Sequence, residues 1–210
     1  MTIDIDEAKV ARNEAGLWLG WVLATAVGML LGFLPFVFFV EDLDLGLVRI
    51  LIPLWSGFMV GVLQWLVLSR FLTHSADWII NGGAGYALGY ALGLSVIQIL
   101  GASPLGALVG YILFGVIVAL LQWPVLRREI PNVVPWLLAN VAGWALGAYL
   151  GPWILNLIVS GSTASQVLST AVISASTGLI AGAITGLALV WIVRQPEMEP
   201  FEPPEMEKMK

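Results

Sequence analysis

Two glutamine–tryptophan pairs, Gln64-Trp65 and Gln122-Trp123, are set in otherwise apolar sequence, as are Asn81 and Asn140. An amide both donates and accepts hydrogen bonds, so four amides in uncharged segments can do polar chemistry without ions. Gln64 lies seven residues beyond Gly57 and three beyond Gly61, and Gln122 lies seven beyond Gly115. On a helix these separations put each glutamine on the same face as small residues, pointing at protein rather than lipid. Asn81, four residues before Gly85, and Asn140, three before Gly143, follow the same rule. Two uses are open to this set. The amides can hydrogen-bond between helices, at roughly 0.6–2 kcal/mol each. With the indoles of Trp65 and Trp123 they can instead line an inner-leaflet polar pocket for a headgroup, a small uncharged solute or a pigment.

Other chemistry is thinly represented. Without cysteine there is no disulfide, thiolate nucleophile or cysteine-ligated metal. The single histidine, His74, lies near Asp77, and one pair of ligands makes no metal site. A loop histidine beside the start of a helix is the expectation. No metal, cofactor or catalytic residue is expected, and pigment or bound lipid are the ligands a polar pocket could take.

These residues belong to a chain that is 59% hydrophobic and only 11% charged, with 23 glycines. Charge is concentrated in residues 1–14 and 194–210, with short clusters at 41–49, 70–77 and 127–129. The uncharged stretches 15–40, 50–69, 78–126 and 130–193 reach or exceed the roughly 20 residues needed to cross a bilayer. A soluble enzyme and a nucleic-acid partner are thereby excluded, and the bilayer is the expected partner. Small, turn-forming residues at 101–104 and 160–165 divide the two longest stretches. Six spans follow, at 15–39, 47–70, 77–100, 104–126, 133–159 and 167–193.

Alternating these spans puts Lys9, Arg12, Arg70, Arg127, Arg128, Arg194, Lys208 and Lys210 on one side and Arg49 alone on the other. The positive-inside rule makes the basic side cytoplasmic, with both termini there. The membrane expected is a bacterial inner (cytoplasmic) or internal one. Most tryptophans fall near the cytoplasmic boundary as an aromatic belt; the deeper Trp144, which aligns with Met29 and Tyr86, reads as a buried contact. Glu41, Gln98 and Asn156 share one offset at the outer end, either as interfacial polar ends or as a ring around an opening. Pro152 is expected to kink the fifth span.

The chain also repeats itself. Trp21, Trp78 and Trp136 align at a period of 57–58 residues, and the same offsets give Gly28, Gly85 and Gly143, then Gly32, Gly89 and Gly147. Two copies continue to Gly93 and Gly151. Even-numbered spans carry Gly57-x3-Gly61-x2-Gln64-Trp65-x-Val67-Leu68 and Gly115-x3-Ala119-x2-Gln122-Trp123-x-Val125-Leu126. The sixth diverges, with Gly178, Gly182 and Gly186 but no glutamine. The fold class expected is all-α and integral to the membrane. It has three tandem hairpins of the same orientation, with glycine-striped packing faces. Such repeats are related by an axis along the membrane normal, in a threefold bundle or an open row.

The motif Gln64-Trp65-Leu66-Val67-Leu68-Ser69-Arg70, repeated as Gln122-Trp123-Pro124-Val125-Leu126-Arg127-Arg128, resembles that of multi-pass bacterial membrane proteins of uncharacterised activity. The resemblance extends over most of residues 15–194. It implies the hairpin architecture and transfers no catalytic residue.

The domains expected are a cytoplasmic N-terminal segment at 1–14, a membrane domain at 15–194 with repeats at 15–70, 77–128 and 133–194, and an acidic disordered tail at 195–210. Pro196-Glu197-Met198-Glu199 recurs as Pro204-Glu205-Met206-Glu207 in that tail. With no ionisable group near mid-span, the leading functional expectation is a non-enzymatic scaffold or accessory subunit of a membrane complex. Its partner would be another membrane protein or further copies of itself. A passive channel or carrier for a neutral or lipid-like substrate and a pigment-binding subunit are the alternatives.

Overall fold

In lipid every backbone N–H and C=O must find a partner within the protein, and a long apolar run does so as a helix. The structure, a computed structural model, describes residues 5–38, 45–72, 75–101, 103–130, 132–158 and 165–194. His74, Glu41 and the tail at 195–210 lie outside these residues. All regular structure described is helical: α1 Ile5–Phe33, continued by a 3-10 segment Leu34–Phe38, then α2 Leu45–Leu68, α3 Asp77–Leu100, α4 Pro104–Leu126, α5 Val134–Ile158 and α6 Gln166–Val193. Each of the six is long and apolar enough to cross a membrane.

Helix ends follow local chemistry. Ser103 caps α4 by accepting from Gly106 N–H, and Pro104 supplies the first residue. The preceding Gly101 has φ of 77°, a left-handed conformation that glycine adopts without a Cβ clash. Ser165 caps α6 by accepting from Leu168 N–H. At the other extreme, α1 begins at Ile5, so the helix runs back through most of the segment expected to precede the first span. Pro53, Pro124 and Pro152 all lie inside continuous helices, of which only that of Pro152 is expected from sequence to kink.

Each helix packs against its neighbours in the chain, and α6 returns to pack on α1, closing a six-membered ring. Neighbours run antiparallel. A Cβ added at Gly28 would lie 2.6 Å from the Val60 Cα, and one at Gly32 would lie 2.6 Å from the Ser56 Cα. The same close approach recurs from Gly57 to Tyr86 and Gly83, from Gly93 to Gly110, from Gly115 to Val141, from Gly147 to Thr177 and from Gly178 to Ala26. Leu19, Leu23, Val27 and Leu31 project from the outer face of α1, where a bilayer would meet them.

The antiparallel ring gathers Glu14, Arg70, Asp77, Arg127, Arg128 and Arg194 at one end. There Arg128 Nη1 donates to Asp77 Oδ2 at 2.7 Å, and Arg194 pairs with Glu14, tying α4 to α3 and α6 to α1.

Candidate functional site

The ring axis is filled in layers. Nearest the charged end, Leu17, Leu68, Leu126, Leu189 and Ile192 are buried against one another. Next come the three tryptophans at matched offsets, Trp21 from α1, Trp78 from α3 and Trp136 from α5, each no more than 1% exposed. Their ring centroids stand 5.6–5.7 Å apart in edge-to-face contact, with interplanar angles of 63–78°. This is the favoured arrangement for aromatic quadrupoles.

A polar layer satisfies most of those indoles. Trp78 Nε1 donates to Gln64 Oε1 at 3.0 Å, while Gln64 Nε2 donates to Thr25 Oγ1 at 2.9 Å, so one amide joins α1, α2 and α3. Trp21 Nε1 donates to Thr185 Oγ1 at 3.0 Å. Thr185 stands seven residues beyond Gly178, the offset at which Gln64 follows Gly57. At the third equivalent position, Gln122 Oε1 and Trp136 Nε1 are both buried without a partner. Asn140 uses its amide inside its own helix, donating to the Trp136 carbonyl at 3.0 Å and accepting from Trp144 Nε1 at 3.2 Å. Its hydrogen bonds thus stay within α5, where sequence spacing suggested contacts between helices.

The remaining expected site residues are not drawn into this network. Asn81 is half-buried, and Gly82 occupies the offset that Thr25 and Asn140 hold in the other copies. Trp65 and Trp123 are half-buried at the periphery. Trp65 borders a shallow depression with Ser69 and Arg70 instead of facing the amides. Gln98 and Asn156 are both exposed, and neither lines the axial cavity described below.

The inequality between the glutamines is testable. Gln64→Leu leaves Trp78 Nε1 and Thr25 without their partner and is expected to cost about 1–2 kcal/mol. Gln122→Leu removes an oxygen that already lacks a donor and is expected to cost less. Thermal unfolding of both variants in one detergent checks this. Equal losses would contradict the pairing.

Beyond the polar layer, Tyr86, Phe114 and Trp144 form a second aromatic layer, with centroids 5.2–5.3 Å apart and interplanar angles of 80–85°. It floors a cavity of about 330 Å³ to which all six helices contribute. Tyr90 and Tyr111 stand on its walls, with Gln166, Ser169 and Thr170 from the first turns of α6 at its mouth. The cavity opens at the end away from Arg127 and Arg128, and among the described residues no charged side chain lines it. On its deep wall Thr177 Oγ1 donates to the Gly147 carbonyl at 3.2 Å. Tyr86 is 2% exposed, and its hydroxyl is buried without a partner. Such a hydroxyl costs roughly 1–3 kcal/mol.

No family model, curated protein or solved structure matches the chain. The site accordingly rests on its own geometry. Sequence spacing picks out Gln64, Gln122 and Asn140, but it marks Trp21, Trp78 and Trp136 only as repeat positions in an interfacial belt, whereas they are buried on the axis, and it passes over Thr25, Thr185, Tyr90, Tyr111 and Phe114. Thr25 and Thr185 were available through their offsets from Trp21 and Gly178. Tyr90, Tyr111 and Phe114 break the repeat, so no periodicity marks them.

Proposed function

We propose that this protein is a non-enzymatic integral membrane scaffold or accessory subunit, a rigid ring that presents its outer surface to a partner. The observation that carries this reading is an axis closed beneath the cavity by uncharged layers. Two edge-to-face aromatic layers with a buried amide layer between them leave no path along the axis. The described spans hold no Asp, Glu, Lys, Arg or His at mid-depth from which to build a proton relay or an acid–base pair. The same closed axis disfavours a passive channel.

Further observations support the finer architecture. Meeting of Trp21, Trp78 and Trp136 at one point suits three hairpins around a pseudo-threefold axis. Close approach at Gly28, Gly57, Gly115 and Gly147 suits glycine-striped faces, through which helices gain dispersion contacts in lipid. Gathering of Arg70, Arg127, Arg128 and Arg194 at one end suits a cytoplasmic placement of that end. On the outer surface a groove of about 620 Å³ between α2 and α3, bordered by Leu54, Trp55, Phe58 and Ile80, is shaped to receive apolar side chains of a neighbouring helix.

Native mass spectrometry of the protein taken from its source membrane in lipid nanodiscs tests the proposal. A species heavier than one 22.6 kDa chain, with a partner in fixed ratio or as a homo-oligomer, is expected. A single chain in every preparation, even after crosslinking in the membrane, would defeat it.

A further inference from the structure

Beyond any scaffold role, we propose that the axial cavity is a binding site for a flat, uncharged ring carrying a hydrogen-bond-accepting oxygen, of the chemical class of a quinonoid or other carbonyl-bearing head group.

Four features of the cavity define this ligand. Its volume of about 330 Å³ is at the small end of organic-ligand pockets. The floor of Tyr86, Phe114 and Trp144 offers aromatic faces and edges, which favour a flat unsaturated body over a flexible chain. Among the described residues no charged group lines the walls, so an ionised ligand would be desolvated there without compensation. Finally, the Tyr86 hydroxyl is the floor's unpaired donor. The Trp144 N–H is already committed to Asn140, whereas Tyr86, a residue of the cavity lining, has a buried hydroxyl without a partner. An accepting oxygen at the deep end of the ligand completes its hydrogen bonding. Gln166, Ser169 and Thr170 at the mouth suit a polar substituent on the opposite edge.

The site lies on the far side of the polar layer from the charged end, so it is distinct from an inner-leaflet pocket built on Gln64 and Gln122. It also survives failure of the scaffold reading, because a monomer can hold the ligand as well as an oligomer.

Menadione is the direct probe, with methylnaphthalene as the matched ring lacking carbonyl oxygens. The chain has no cysteine, so the quinone cannot be captured by a thiol. Binding is measured by equilibrium dialysis against protein-containing and empty nanodiscs, which removes partition into lipid. Menadione is expected to bind saturably at one per chain, and methylnaphthalene about threefold to tenfold more weakly. In Tyr86→Phe, which keeps the ring and removes only the oxygen, that difference should disappear while unliganded thermal stability is kept or raised. Ala148→Leu, which fills part of the cavity, should weaken both probes. Menadione uptake equal to that of empty nanodiscs would overturn the proposal, as would equal binding of the two probes by the unaltered protein. A co-purified phospholipid that menadione cannot displace would also overturn it, assigning the cavity to an acyl chain.

Discussion

Gly57→Leu is expected to abolish recovery of folded, monodisperse protein, and Gly57→Ala to cost about 1–3 kcal/mol. An added Cβ at Gly57 would stand 2.6 Å from the Tyr86 Cβ, 2.8 Å from the Gly82 carbonyl oxygen and 2.9 Å from the Gly83 Cα. Two of those atoms are backbone and cannot rotate aside, so α2 and α3 must separate along their contact. Gly32→Ala meets the same obstacle at the Ser56 Cα, 2.6 Å away. Lost dispersion is costly in lipid because no hydrophobic force between the helices offsets it. The opposite holds outside the ring. Leu88→Ala, at a residue 52% exposed, exchanges one apolar contact for another and should leave stability nearly unchanged. Thermal unfolding in mild detergent separates these cases. If Gly57→Ala and Leu88→Ala melt together, close backbone approach is not what holds the ring.

Trp78→Ala is the second substitution with a large expected effect, about 3 kcal/mol or more. Trp78 is fully buried, lies against Trp21 and Trp136 with centroids 5.7 and 5.6 Å away, and supplies the N–H that Gln64 accepts. The substitution therefore opens a cavity on the axis, removes two edge-to-face contacts and orphans an amide oxygen. In a soluble protein part of the cost would be transfer of the indole to water. Within a bilayer that part shrinks, and the packing and hydrogen-bond losses remain. Trp191→Ala, at a residue 49% exposed on the outer surface, should cost far less. A loss at Trp78 no larger than at Trp191 would mean the tryptophan layer does not brace the ring. Trp78→Phe should recover part of the stability, restoring ring contacts but not the donor.

Much of the helix pattern was legible because charge and turn residues punctuate the chain. Asp77, Leu100, Pro104, Leu126 and Val193 end or begin helices where the sequence places them, within a residue. The start of α1 was not, since the acidic residues Asp6 and Glu7 mark solvent as readily as a helix N-terminus, where they are favourable. The inward face of Gln64 was legible from its offsets to Gly57 and Gly61, whereas its bond to Trp78 was not, since Trp78 reads as an interfacial residue until the ring buries it. Asn140 shares that periodicity yet bonds within its own helix, since spacing specifies a face and leaves the partner open. The cavity was the least legible part. Its floor combines Tyr86 and Trp144, which align in the repeat, with Phe114 from α4. Only closure of the ring places α3, α4 and α5 around one axis, and that closure depends on α1 meeting α6, a contact no local pattern announces.

Solute flux into proteoliposomes tests the closed axis most directly. With the purified protein at known density, entry of ions and of small neutral solutes is followed against protein-free liposomes of the same lipid. The layers from Leu68 through Trp78 and Gln64 to Tyr86 predict rates equal to the protein-free control. Saturable flux that scales with protein density would contradict a closed axis, and with it the reading of the ring as a scaffold.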